Sequence, residues 1–254
     1  MKNIFFTTAM LALGALLFNS CERVEMPNEI ASEQQNQFQE VLRLNMDNIG
    51  DIPVGTSSGI RRTPGIYGKA PSKHQAVYLY IPNLTADVQK RVYNVRSLRD
   101  ISELTLNHGA VVYLTNENAT LDIQFTVPVQ ETQNSLAPMV AEAKRFLSSK
   151  GFTGQGIQEM IIAENGTEYD LILVAMLLQE ATSSFTWTGN PFIDCALVAI
   201  GIDVAWAFMG AGVHSWTELR RLFRTVANRA LGPIGAVVAL GAYGACLHRE
   251  GVFN

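Results

Sequence analysis

Hydrophobic and polar positions alternate most clearly in residues 121–127, which read Leu-Asp-Ile-Gln-Phe-Thr-Val. Alternation of this kind places the apolar side chains on one face of a β-strand and the polar ones on the other. A second apolar run, 110–115, precedes it across an Asn-Glu-Asn segment that is typical of a turn. The two runs therefore predict a β-hairpin. A separate short strand is predicted at 77–81, where Pro82 ends it.

A second β-hairpin is predicted at 157–164 and 169–178. The two apolar runs are joined through Asn165-Gly166, a residue pair that favours the tight turn of a hairpin. Residues 171–178 are apolar at every position, which indicates a central strand covered on both sides. A buried helix gives the same pattern over so short a run, so that alternative stays open.

Apolar positions three and four residues apart predict helices elsewhere in the chain. Serine and threonine residues at the predicted helix starts can accept hydrogen bonds from free backbone N–H groups, and Ser32 with Gln35 forms a capping box. The first helix is predicted at 32–48. Two short helices are predicted after it, one following Thr85 and one following Ser97, and the second of these ends near Gly109. A longer helix is predicted at 135–150, with Pro138 in its first turn and Gly151 after its end.

Residues 190–254 differ in composition and predict a small helical domain. An apolar segment at 192–213 is interrupted only by Asp194 and Asp203. A second apolar segment at 234–247 is rich in glycine and alanine. The two segments predict a pair of buried helices packed against each other.

The segment between them predicts an amphipathic helix. Ser215 and Glu218 have the spacing of a second capping box. Trp216 is the first residue of an apolar face, and the arginines of this segment lie on other faces of the helix. Small residues at spacings of three and four on the last helix would let a neighbouring helix approach closely: Gly232, Gly235, Ala239, Ala242 and Cys246.

The sequence thus predicts an α+β fold, with two β-hairpins and helices followed by a small all-α domain built on a helical hairpin. Composition predicts that the loop at 50–76 is disordered or loosely packed. The predicted segments are a signal peptide at 1–20, a tether at 21–31, an α+β domain at 32–185 with a long Gly/Ser/Pro-rich loop at 50–76, and an apolar helical domain at 190–254.

Composition and charge narrow the class of protein. Hydrophobic residues make up 48% of the 254 residues and charged residues 17%, which predicts a sizeable core. The formal net charge of −4 argues against a nucleic-acid partner, because such partners require a concentrated basic surface.

The first residues predict export. A single lysine precedes an apolar run at 4–18 that is too short to cross a bilayer comfortably and is typical of a signal peptide. The stretch Leu17-Phe18-Asn19-Ser20-Cys21 resembles the lipobox of bacterial lipoproteins. This resemblance implies that Cys21 carries fatty acyl chains such as palmitate and becomes the mature N-terminus. It also implies a cell-envelope location, on the periplasmic or the surface face of the outer membrane. A plain secretory signal is the alternative, and a cytosolic protein with an apolar N-terminus is a more remote one.

The chain has three cysteines. If Cys21 carries lipid, Cys195 and Cys246 remain as an even pair in an oxidising compartment, so we expect a disulfide bond between them. Two inert buried thiols are the alternative. A disulfide requires Cα atoms within about 7 Å of each other. The bond would therefore make the two apolar helices antiparallel.

Motifs for catalysis and for metal or cofactor binding are weak. Residues 55–59 match G-x-S-x-G around Ser57, and Asp170 and His214 follow later in the chain. The nucleophile elbow of a serine hydrolase needs a strand before the serine and a helix after it, whereas this stretch is a Gly-rich loop between prolines. The histidines are scattered without metal-ligand spacing. We therefore predict no catalytic, cofactor or metal site, with a serine hydrolase as a remote alternative.

These observations predict a lipid-anchored envelope lipoprotein with a binding or structural role rather than an enzyme. The membrane is one partner, through Cys21, and the identity of a protein or glycan partner stays open. The alternative is a membrane-active C-terminal helical hairpin, similar in its Gly- and Ala-rich texture to pore-forming bacteriocin peptides. Against that alternative, an aspartate such as Asp203 costs about 2.5–3.5 kcal/mol at the bilayer centre.

Overall fold

The computed structural model describes residues 28–57, 73–114, 117–121, 123–182, 194–196, 199, 213, 215–228 and 232–252. These residues form an α+β structure, as predicted. The helices are α1 (Asn28–Gly50), α2 (Ala86–Tyr93), α3 (Leu98–His108), α4 (Val129–Ser149), α5 (Gly154–Ala163), α6 (Asp170–Thr182), α7 (Trp216–Ala227) and α8 (Gly232–Arg249). The strands are β1 (Gly55–Ser57), β2 (His74–Tyr80), β3 (Val111–Tyr113) and β4 (Gln124–Pro128).

The four strands form one antiparallel sheet in the order β1-β4-β2-β3. Strand β2 pairs with β3 through Tyr80 and Val111 and with β4 through His74 and Pro128, so β3 and β4 lie on opposite sides of it. The predicted hairpin between these two strands is therefore wrong. The alternation correctly indicated that Phe125 faces the core, but a pattern of alternation fixes the faces of a strand and does not choose its neighbour.

The second predicted hairpin is also wrong, because its two arms are helices α5 and α6. Asn165 has a φ of 52°, and the N–H of Gly166 donates to the carbonyl of Ile161 at 3.0 Å, which closes the end of α5. A positive φ is needed both at the end of a helix and in the tight turn of a hairpin, and an Asn-Gly pair can supply it in either place. The buried-helix alternative for residues 171–178 is the correct one.

Several predicted helix ends are confirmed. Thr85 caps α2 by accepting the N–H of Val88, and Ser97 caps α3 in a full capping box with Asp100. Gly109 follows α3 with a φ of 64°. Ser215 likewise caps α7, as predicted.

Two helices begin earlier than predicted. Helix α1 starts at Asn28, so Ser32 lies inside it rather than at its N-cap, and part of the predicted tether is helical. Helix α4 starts at Val129 and continues through Pro138, which is therefore not in the first turn. Strand β1 and the start of β2 lie within the loop predicted at 50–76, and residues 58–72 of that loop lie outside the described residues.

The buried residues form one hydrophobic core. Helices α1 and α4 pack together, and the rings of Phe38 and Phe146 stack with centroids 5.7 Å apart. Helix α8 packs against α1, α3, α4 and α6, and the Trp216 ring of α7 lies edge-on to Phe152, with centroids 5.1 Å apart. The described parts of the predicted C-terminal domain thus share a core with the residues before it.

Within the described ranges, no single helix is both long and apolar enough to cross a membrane. Helices α7 and α8 meet the length and composition requirements only as a pair, and they are bent by 92° relative to each other. Several predicted features lie outside the described residues, namely Cys21, Asp203, His214, the signal peptide and the domain boundary that follows residue 182.

Candidate functional site

A groove of about 580 Å³ lies between the C-terminal half of α1, helix α3 and the C-terminal half of α8. Its floor is apolar and half-buried, and consists of Met46, Leu106 and Ala245 together with two glycines of α8. Its rim is mainly charged. The polar side chains that line it are Arg43, Asp47, Arg99, Glu103, Asn107, His248 and Arg249.

The floor of the groove depends on a close approach between helices. A Cβ atom on Gly241 would overlap the Ser102 hydroxyl of α3, and one on Gly244 would lie 2.7 Å from the Met46 Sδ of α1. Small residues on α8 therefore admit close neighbours, as predicted. However, the tightest contacts are made by these two glycines, which do not belong to the predicted stripe.

Three arginines from three different helices line the groove, and a carboxylate holds each of them. Arg43 of α1 donates from Nε and Nη2 to Glu40, at 3.1 and 2.8 Å. Arg249 of α8 donates from Nε to Glu250 at 3.3 Å. In both guanidinium groups, Nη1 makes no hydrogen bond to any described residue.

Arg99 of α3 pairs with two carboxylates, whereas each of the other two arginines pairs with one. Its Nη2 donates to Asp47 at 3.4 Å and to Asp51 at 3.2 Å, and its guanidinium lies directly against Gly50. Hydrogen bonding to the Asp51 carboxylate raises the pKa of Arg99, and Asp47 adds to this effect while partial burial opposes it. Its Nε and Nη1 groups have no hydrogen-bond acceptor among the described residues.

Two acceptors on α3 complete the rim. The Glu103 carboxylate and the Asn107 amide are exposed and line both the groove and a neighbouring cavity of about 200 Å³. Neither side chain forms a hydrogen bond or an ion pair with another described residue. The groove therefore offers free donors, free acceptors and apolar surface in one place.

The disulfide predicted between Cys195 and Cys246 is present, with sulfur atoms 2.09 Å apart and Cα atoms 5.4 Å apart. Both cysteines are buried. Cys246 follows the groove residue Ala245, and its Sγ lies 3.9 Å from the Nη2 of Arg249. The bond thus fixes residues 194–196 to the part of α8 that forms one side of the groove.

The structure places the weak catalytic candidates in structural positions. Ser57 lies on the edge strand β1, where it pairs with Gln124 of β4. Asp170 is buried at the start of α6, and its Oδ2 accepts hydrogen bonds from the backbone N–H and the hydroxyl of Thr167. Burial raises the pKa of Asp170, while these bonds from Thr167 lower it. Because His214 lies outside the described residues, no triad can be assembled from them.

The histidines within the described ranges lie on three different elements. His74 begins β2, whereas His108 and His248 lie in the last turns of α3 and α8. No cluster of three or more His, Cys, Asp or Glu side chains that could hold a metal ion occurs in the part of the chain that the structure describes.

Comparison with protein-family models, with curated proteins and with solved structures gives no match to this chain. The fold and the groove therefore define the molecule only as an α+β protein with a mixed-charge cleft between three helices.

Proposed function

We propose that this protein is a lipoprotein of the cell envelope, tethered by lipid on Cys21, whose folded body binds a partner in the aqueous compartment. The observation that carries the proposal is the buried Cys195–Cys246 disulfide. Disulfides form and persist in oxidising compartments, which supports export by the signal-like leader. The disulfide also leaves Cys21 as the remaining cysteine of three, available for acylation.

The position of α1 supports a binding face held away from the membrane. Helix α1 begins at Asn28, only seven positions after Cys21, and runs for 23 residues. At about 1.5 Å per residue, Met46 lies roughly 27 Å along the helix from Asn28. The groove therefore lies at the end of α1 that is farther from the tether.

Lipid on Cys21 would provide a firm anchor. Each methylene buried in the bilayer contributes about 0.8 kcal/mol to the free energy of membrane binding. Several acyl chains on one cysteine therefore anchor a protein stably, whereas a single chain binds only weakly. The helices α7 and α8 are not needed for attachment. The apolar side chains of α8 are already covered by α1, α3, α4 and α6, so insertion of this helix into a bilayer would expose the core it now completes.

Mass spectrometry of the mature N-terminal peptide, from cells that produce the protein, tests the proposal. We expect a peptide that begins at Cys21 with a diacylglyceryl group on its sulfur, and a protein that fractionates with membranes. Cys21→Ser should abolish the modification and the membrane association. The matched control is the Cys195→Ala/Cys246→Ala pair, which should leave the lipid in place. An unmodified Cys21 in protein recovered from the soluble fraction would refute the anchor.

A further inference from the structure

We propose that the groove between α1, α3 and α8 binds a small organic anion, in which a carboxylate or phosphate group is attached to an apolar body. This inference rests on the proposed binding role of the folded body, but it does not depend on the lipid anchor. The groove volume of about 580 Å³ lies within the range of about 300–1,000 Å³ that is usual for small-molecule sites.

The guanidinium groups supply the recognition of the charged group. An arginine has five N–H donors in a fixed planar arrangement that matches carboxylate and phosphate oxygens. In Arg43, Arg99 and Arg249 the acidic partners occupy only part of this donor set. The acids therefore orient the arginines, while the remaining donors are available to a ligand.

Arg99 is the best placed of the three. Two carboxylates pair with its guanidinium, which lies beside Gly50, so part of its side-chain freedom is already restricted before a ligand binds. The N–H bonds of its Nε and Nη1 groups point in different directions, so each group could donate a separate hydrogen bond to a ligand oxygen. We therefore assign the main anion contact to Arg99.

The floor and the acidic residues define the rest of the ligand. Met46, Leu106 and Ala245 offer half-buried apolar surface beneath the arginines, and this surface fits an uncharged body. Asp47 and Glu103 on the same rim would repel a ligand that is negatively charged along its whole length. The groove thus favours one charged group at one end of an apolar molecule.

Isothermal titration calorimetry with two probes of equal size tests the inference. Naphthalene-2-carboxylate has the anion and the apolar body, whereas naphthalene-2-methanol has the same body without the charge. The protein is purified from cells with its N-terminus as processed there, and it is titrated in detergent micelles. The heats of titrating micelles without protein are subtracted. We expect the carboxylate to bind at one site, with an affinity that decreases as salt is added. The alcohol should bind at least about tenfold more weakly, because it cannot form the charged hydrogen bonds.

Variants assign the binding to the groove. Arg99→Gln should weaken binding of the carboxylate about tenfold or more and leave the alcohol unaffected. Ala245→Leu should weaken both probes, because it fills the floor without changing any charge. Arg224→Gln on α7 is the matched control, since Arg224 is also an exposed arginine paired with a carboxylate, that of Glu164, and it does not line the groove. Urea unfolding curves establish that each variant is folded.

Three results would overturn the inference: equal affinity for the two probes, unchanged affinity in Arg99→Gln, or no binding of the carboxylate below about 1 mM. The titration does not depend on Cys21, so its failure would leave the lipid anchor standing. Conversely, an unmodified Cys21 would overturn the anchor without affecting this measurement.

Discussion

Gly241 of α8 lies directly against Ser102 of α3, with no room between them for a methyl group. Ser102 is buried, and its hydroxyl donates to the carbonyl of Leu98 at 2.9 Å, so it is held within its own helix. Gly241 also lines the floor of the groove, so α3 and α8 approach each other closely at this point of the floor.

Gly241→Ala should therefore destabilise the protein. Overpacking of a well-packed core costs about 1–3 kcal/mol, whereas replacing a helical glycine by alanine contributes up to about 1 kcal/mol in the opposite direction. We expect a net decrease in the free energy of unfolding, measured by urea denaturation. Gly154→Ala is the matched control, because nothing lies within 4 Å of a Cβ atom at that position in α5. It should leave the free energy of unfolding unchanged or raise it.

Ser102→Gly identifies the cause of the Gly241→Ala effect. If the new methyl group clashes with the Ser102 side chain, removing that side chain should reduce the cost of Gly241→Ala in the double variant. Additive effects of the two substitutions would show that the contact does not limit the approach of the two helices.

Loss of the Cys195–Cys246 bond should also destabilise the protein. The bond joins residues separated by 51 positions, and closing a loop of this length usually contributes about 2–4 kcal/mol by restricting the unfolded chain. The Cys195→Ala/Cys246→Ala variant should show a decrease of this size in its free energy of unfolding. Adding a reductant should lower the stability of the wild-type protein towards that of the variant and should not affect the variant. Equal stability of the two proteins without reductant would contradict this account.

Local chemistry in the sequence predicted many helix ends but few strand partners. Thr85, Ser97 and Gly109 act through bonds to residues close in sequence, so their roles could be inferred from spacing alone. The partners of β2 depend on contacts between residues that are distant in sequence, which alternation does not encode. The Asn165-Gly166 pair was correctly predicted as a turn and wrongly as part of a hairpin, because both kinds of turn need the same backbone conformation.

The groove could not be predicted from local motifs. Arg43, Arg99 and Arg249 belong to three separate helices, and only the packing of α8 between α1 and α3 brings them together. The disulfide was predictable because, with three cysteines in the chain, the predicted lipidation of Cys21 left one pair. The only sequence signal for the groove was the small-residue character of α8, and it indicated close packing without identifying the helices that approach it.

Asn165 tests the corrected assignment of α5 and α6. Its φ of 52° is a left-handed conformation that a β-branched residue adopts only at a cost of about 1–2 kcal/mol. Asn165→Val should lower the free energy of unfolding by about that amount, while Asn165→Gly should be tolerated. Asn94 at the end of α2 is a matched control, because it has a φ of −96°. Asn94→Val should therefore cost clearly less, and equal costs at both sites would contradict the helix-end geometry.

The buried carboxyl group of Asp170 should make stability depend on pH in the opposite sense to most acidic residues. Its Oδ2 accepts two hydrogen bonds from Thr167, whereas its Oδ1 is buried with no hydrogen-bond partner among the described residues. Burial raises the pKa of Asp170 above its ordinary value of 3.8, so the folded protein holds this proton more tightly than the unfolded chain does. The stability contributed by the protonated group is fully present below a pH of about 4 and is lost as the pH rises through the folded-state pKa.

Asp170→Asn removes this titration and keeps an oxygen that can accept the bonds from Thr167. The free energy of unfolding of the wild-type protein minus that of the variant should therefore decrease between pH 4 and pH 7, as measured by urea denaturation at several pH values. The other titrating groups contribute equally to both proteins and cancel in the difference. Asp87→Asn on the exposed surface of α2 is the control for the chemical change itself. A difference that stays constant or grows with pH would mean that burial does not govern the ionisation of Asp170.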